Sequence, residues 1–132
     1  MASHQQIGVG IIGYEVGRSW GANAHVPALR ALPEYRVAAV ATTRAESALA
    51  AGADIGLPAD RAFASAAELV ACADVDVVAV TVKVPFHLEL VRMAIAAGKH
   101  VYCEWPLGNG LAEAEEMAEL VAASNVRAVV KA

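Results

Sequence analysis

"IGVGIIGYEVGRSWG", residues 7–21, holds two overlapping glycine patterns, and the register chosen between them decides the fold. A literal G-x-G-x-x-G runs through Gly8, Gly10 and Gly13. That fingerprint needs a strand leading into its first glycine. The residues ahead of it, Met1-Ala2-Ser3-His4-Gln5-Gln6, are polar and supply none. The apolar run Ile7–Ile12 is therefore itself the strand, with Gly8 and Gly10 inside it. The functional turn starts at Gly13 and continues through Gly17 and Gly21. Glu15 stands where a strict fingerprint has its second glycine, and the loop is longer than usual before a helix carrying His25–Leu32. A glycine loop between a strand and a helix offers backbone N–H groups and a helix N-terminus to a pyrophosphate. The plainer alternative is that these glycines only turn the chain; the βα context favours nucleotide binding.

Working outward, short β-branched runs alternate with longer alanine-rich segments, the pattern of a parallel sheet with crossover helices. Arg36–Ala41 is the second expected strand and Arg61–Ala64 a short third. Ser65-Ala66-Ala67-Glu68 is a capping box opening a helix to about Cys72. Val75–Val82 (VDVVAVTV) is nearly all apolar, as expected of a strand covered on both faces. A helix over Phe86–Ala97 ends at Gly98, His100–Cys103 is the fifth strand, Leu111–Ser124 a helix and Val126–Val130 the sixth strand. These elements predict a doubly wound parallel Rossmann sheet with helices on both faces over residues 7–132, preceded by a disordered segment 1–6. Ligands of such sheets bind beyond the strand carboxyl ends, where strand order reverses.

The composition bounds the function classes. With 58% hydrophobic and 18% charged residues the chain is globular. Gly, Pro or charged residues interrupt every apolar stretch before it reaches membrane-span length, and no signal-peptide core is present, so no membrane partner is expected. A net charge of −4 argues against a broad phosphate-backbone surface for nucleic acid. Cys72 and Cys103 lack metal-ligand spacing, so no metal is expected and a reducing cytoplasm is the default location.

Cofactor choice is read at the end of the second strand, Ala41-Thr42-Thr43-Arg44. An NAD site wants an acid there for the ribose hydroxyls; an NADP site wants hydroxyls and a cation for the 2′-phosphate. No acid is present, and Arg44 carries a forked donor set. Thr42, Thr43 and Arg44 thus favour NADP(H), with NAD(H) as the alternative. Arg44 is also readable as an ordinary exposed arginine at a helix start.

With the glycine loop and the fifth strand placed, the chain resembles the glucose–fructose oxidoreductase / inositol dehydrogenase (Gfo/Idh/MocA) family. AAGKHVYCEWPLG, residues 96–108, is the most specific stretch, supported by GIIG and ADVDVVAVTV. The resemblance implies an N-terminal dinucleotide-binding domain of an NAD(P)-dependent oxidoreductase acting on a sugar, inositol or related polyol. A second domain would supply most of the substrate pocket, and the chain stops where it should begin. The fragment alone is then not expected to be active. The family's usual Glu-Lys-Pro motif reads Glu104-Trp105-Pro106 here. That form is similar to the yeast galactose-pathway repressor, which implies a cofactor-binding, non-catalytic regulator as the alternative.

Trp105 cannot inherit the lysine's role, because indole holds no cation and only one N–H donor. Lys83, at the end of the fourth strand, is the candidate replacement, against the plainer reading of a solvated strand-end lysine. His87 matches a histidine frequent in the family, read either as a contact to cofactor or substrate or as a polar helix-start residue; Glu104 would lie at the nicotinamide end by resemblance, or equally brace the turn. Lys83, Glu104 and His87 are therefore the catalytic candidates. Gly13, Gly17, Trp20, Gly21, Thr42, Thr43, Arg44, Val84, Glu104 and Trp105 are the cofactor-binding ones. His25 and His100 read as structural, His4 as disordered and Cys103 as core. A domain without its companion leaves apolar surface uncovered near its last helix and strand, so self-association into a homo-oligomer is expected.

Overall fold

The computed structural model describes residues 5–131. Six strands form one sheet: β1 (Ile7–Ile12), β2 (Tyr35–Ala41), β3 (Ala62–Phe63), β4 (Val77–Val80), β5 (His100–Glu104) and β6 (Ala128–Lys131). Their order is β3-β2-β1-β4-β5-β6, with every pairing parallel. Strand order reverses between β1 and β4, as in a Rossmann sheet. Five helices connect the strands: α1 (Val26–Ala31), α2 (Ala45–Ile55), α3 (Ala66–Val70), α4 (His87–Ala96) and α5 (Leu111–Ala122). No helix among the described residues is long and apolar enough to cross a membrane.

Alternation along each strand feeds two cores. Val9 and Ile11 face Val26 of α1 and Ala51 and Ile55 of α2. On the other face Ile12, Val78, Val80, Val101 and Cys103 meet Leu69, Val91, Ala94 and Met117 from α3, α4 and α5. Both faces of the central strands are covered, which is why their sequences run apolar without a polar phase.

Gly8 and Gly10 lie inside β1, as the register argument requires. A Cβ on Gly8 would sit 1.9 Å from the Asp74 carbonyl oxygen, and one on Gly10 would sit 2.8 Å from Leu69 Cδ2. These two glycines serve close packing at the sheet, while Gly13, at φ +91°, opens the turn.

Several boundaries differ from expectation. The fourth strand pairs only over Val77–Val80, because Val75 closes a turn on the Cys72 carbonyl and Thr81 already bends toward β1. The third and sixth strands are also shorter than or offset from the sequence estimates. α3 begins at Ser65, whose Oγ accepts from the Glu68 amide at 3.3 Å, but stops at Val70. Of α2 only the start near Arg44 is legible in the sequence, not its span to Ile55. Its alanines give too little hydrophobic contrast for a clear period. Gly56, at φ +89°, ends it, with its own amide and that of Leu57 bonding the Gly52 carbonyl. His4 and the first four positions of the expected disordered segment 1–6 fall outside the described residues, while Gln6 donates to the carbonyls of Pro33 and Tyr35.

Candidate functional site

The carboxyl ends of β1, β2 and β4 part around a cleft of about 840 Å³. Its floor is the turn after β1. Gly13 donates its amide to Ala41 on β2, and the Thr81 hydroxyl lies within reach of the Ile12 and Gly13 carbonyls. A Cβ at Gly13 would meet Val82 Cγ1 at 2.6 Å, so the two strand ends approach closely only because this residue has no side chain.

The loop beyond Gly13 spends part of its own hydrogen bonding internally. Ser19 Oγ accepts from the amides of Glu15 and Ala22, and the amides of Arg18 and Ser19 bond the Glu15 carbonyl. The amides of Tyr14, Val16 and Gly17 have no acceptor among the described residues. These donors, on a loop that leads through a wide turn (Gly21–His25) into α1, fit an anionic group. Tyr14 fastens the loop to α2 by bonding Asp54, and burial first, then that bond, pushes its phenol up to about 12. Glu15 lines the cleft and pairs with Arg18 at 3.4 Å.

On the β2 side Thr42, Thr43 and Arg44 all line the cleft. Ser47, three residues into α2, joins them; its Oγ lies 2.7 Å from Thr42 Oγ1 and 3.1 Å from the Arg44 carbonyl. Sequence reasoning missed Ser47 because the unread span of α2 hid its one-turn spacing from Arg44. Arg44 is exposed and makes no ion pair among the described residues.

On the β4 side Lys83 lines the cleft and is exposed, with Val84 next to it opening a short 3-10 turn into α4. His87 sits elsewhere than on the cleft wall. It is fully buried, with Nε2 at 2.8 Å from the Val82 carbonyl and Nδ1 at 3.0 Å from the Leu107 carbonyl. It ties the loop after β4 to the loop after β5 from behind the rim. Cys103 lies beside it, Sγ to Nδ1 3.3 Å, and burial pushes that thiol up from 9.0 to about 11.

The β5 end carries Glu104 and Trp105. Trp105 is 69% exposed, which places it outside the core, and its amide donates to the Lys131 carbonyl. Trp20 is 61% exposed and has Lys131 Nζ 5.0 Å above its ring. Both tryptophans thus meet the end of β6. Gly17, Trp20, Gly21, Val84, Glu104 and Trp105 lie beyond the wall of the 840 Å³ cleft itself. His25, read from sequence as structural, points its Nε2 toward Glu104, while His100 accepts the Arg127 amide at 2.9 Å. Among the described residues no cluster of three or more His, Cys, Asp or Glu could hold a metal ion.

The family described as the oxidoreductase family with an NAD-binding Rossmann fold (Gfo/Idh/MocA) matches residues 7–132. The chain belongs to this family. It is its NAD(P)-binding Rossmann domain that the six-stranded sheet represents. A curated relative, dehydrogenase aclE of Aspergillus oryzae, is 38% identical over 130 residues, covering 96% of this chain and 36% of its own length. The galactose/lactose metabolism regulatory protein GAL80 of Kluyveromyces lactis is 29% identical over 122 residues, covering 87% of this chain and 27% of its own. Among solved structures, KijD10, a 3-ketoreductase from Actinomadura kijaniata in complex with TDP-benzene and NADP, superposes with a TM-score of 0.84 at 28% identity. That match covers 96% of this chain and 38% of KijD10. The chain therefore spans little more than a third of the length of these relatives at most.

Proposed function

We propose that this chain is the dinucleotide-binding part of an NADP(H)-preferring oxidoreductase whose substrate is a sugar, inositol or related polyol. The observation that carries the cofactor preference is the β2 end: Thr42, Thr43, Arg44 and Ser47 line the cleft, and no carboxylate stands at the strand end. A 2′-phosphate there gains charge-assisted bonds from a guanidinium and neutral bonds from hydroxyls. The unpaired amides after Gly13 suit the pyrophosphate. The dinucleotide supplies hydride chemistry; the residues of this chain bind it, orient it and fix what lies against it. KijD10's complex with NADP agrees with this preference. The substrate class rests on the family, whose relatives are nearly three times this chain's length or more.

In this reading Lys83 carries the proton-handling cation that Trp105 cannot supply, and Glu104 and Trp105 border the nicotinamide. Lys83 is exposed on the cleft and has no ion-pair partner among the described residues, so its ammonium is available. His87 contributes by holding the two rim loops together. A second reading is favoured by Trp105 and by the similarity to GAL80. In it the dinucleotide is a signal or structural ligand, and no turnover occurs.

Calorimetry with Arg44→Ala tests the cofactor proposal. NADPH affinity should fall about tenfold, the low end for a charge-assisted bond at an exposed site, with NADH affected less. Equal losses for both would remove Arg44 from the site. Turnover of a panel of sugars, inositols and their acids by the longer parent protein separates the oxidoreductase from the regulator.

A further inference from the structure

His25 and Glu104 come from distant parts of the chain and meet at the end of β5. His25 closes the turn Gly21–His25; Glu104 is the last residue of the strand. Their side chains are only 16% and 18% exposed, and His25 Nε2 lies 3.8 Å from Glu104 Oε2. That gap is too long for a hydrogen bond. His25 Nε2 is buried and has no hydrogen-bond partner in the described structure, and His25 is the only ion-pair partner that Glu104 has there. Tyr102 holds the imidazole edge-on, with ring centroids 5.5 Å apart and planes at 77°. The ring is thus fixed with its bare nitrogen toward the carboxylate.

A buried nitrogen left without a partner costs free energy. The neighbouring carboxylate, only 18% exposed, is the one acceptor group facing it, and a small closure would give that nitrogen its partner. We propose that His25 is a positioning residue for Glu104, holding the carboxylate that the reading above already sets at the nicotinamide so that it meets the donors of the nicotinamide riboside half. This rests on the dinucleotide reading above. The β5 end lies across the β1–β4 crevice from Thr42 and Arg44, so it is the half of the ligand opposite the 2′-phosphate that reaches it. A carboxylate is acceptor-only, so the groups it takes are hydroxyl or carboxamide N–H donors. With His25 Nε2–H donating to one carboxylate oxygen, the other is oriented toward the ligand. No bond is made or broken in this role.

Calorimetry on the chain as it stands distinguishes the outcomes. NADPH and NADH are titrated beside 2′,5′-ADP and 5′-ADP, which lack the nicotinamide riboside. His25→Phe and Glu104→Gln should each weaken the whole dinucleotide about tenfold while leaving the adenine halves within about twofold. The double variant should lose no more than either single one, because one unit is being removed. His25→Gln, which keeps an N–H donor, should restore most of the affinity. Unchanged dinucleotide affinity in His25→Phe, equal losses for dinucleotide and adenine half, or additive losses in the double variant would each overturn the pairing. If His25→Phe does not fold, Glu104→Gln and His25→Gln decide: no selective loss in Glu104→Gln overturns it. A wild-type chain that binds neither dinucleotide nor adenine half would instead sink the dinucleotide reading, and the pairing with it.

Discussion

At the scale of single residues, the glycines of β1 and the tryptophan after β5 make opposite demands. Gly8 and Gly10 are required by contact: an added methyl would strike the Asp74 carbonyl in one case and Leu69 in the other. Overpacking of this kind costs about 1–3 kcal/mol, and a collision with backbone is harder to relieve than one with a side chain. Gly8→Ala should therefore lower stability more than Gly10→Ala in urea unfolding. Equal midpoints would show that the Asp74 turn yields easily. Trp105 is free of such constraint and exposes its ring at the strand mouth. An indole offers a flat apolar wall to a neutral dihydronicotinamide. Reduced cofactor should quench tryptophan emission, and Trp105→Phe should remove most of that quench. A quench that survives the substitution would assign the signal to Trp20. Trp105→Lys should leave cofactor binding intact.

At the scale of elements, His87 shows how a rim is held. Its two ring nitrogens meet carbonyls of the loop after β4 and the loop after β5, two segments that share no strand pairing at that point. His87→Ala should cost about 2–4 kcal/mol through a lost hydrogen bond and an internal void. It should also speed amide exchange around Lys83 and Leu107 more than in β1. Uniform exchange changes would mean that the histidine supports the fold at large. This role was hidden in the sequence, where a histidine two residues after Pro85 reads equally as a cleft contact or as a polar helix-start residue. Only the return of the chain at Leu107 reveals what the ring touches. The alternation of strands and helices was legible because covered parallel strands must be apolar on both faces. The register of the glycine loop was legible because a strand has to precede its turn. The span of α2 was not, since alanine hides the helical period, and Ser47 was lost with it. The His25–Glu104 approach depends on tertiary distance and has no local signature.

At the scale of the whole molecule, the two faces of the sheet are unequally covered. α3, α4 and α5 close one face, while on the other face Val129 of β6, opposite Tyr102 in the strand register, stays 58% exposed. Exposed apolar area of this kind promotes association. Light scattering of the chain should show species heavier than a monomer as concentration rises, and a clean monomer at high concentration would contradict that. Burial holds Cys103 neutral up to about 11 and Tyr14 up to about 12, above their ordinary 9.0 and 10.0. Between those limits the unfolded chain has released protons that the folded chain keeps, so stability should fall as pH rises from about 9 to 12. A flat thermal midpoint over that range would show that neither group stays protonated.

The sheet's two margins differ in a way that limits how copies could add to one another. β3 offers only Ala62 and Phe63, and a two-residue margin is a poor template for pairing. β6 offers Ala128–Lys131, all exposed. If copies join through strands, the join uses the β6 margin of both, in a self-complementary arrangement about a twofold axis. Such a union doubles the width of the sheet and consumes its receptive margins in a single step. Growth then terminates at the pair, and a fibril would require a different contact altogether.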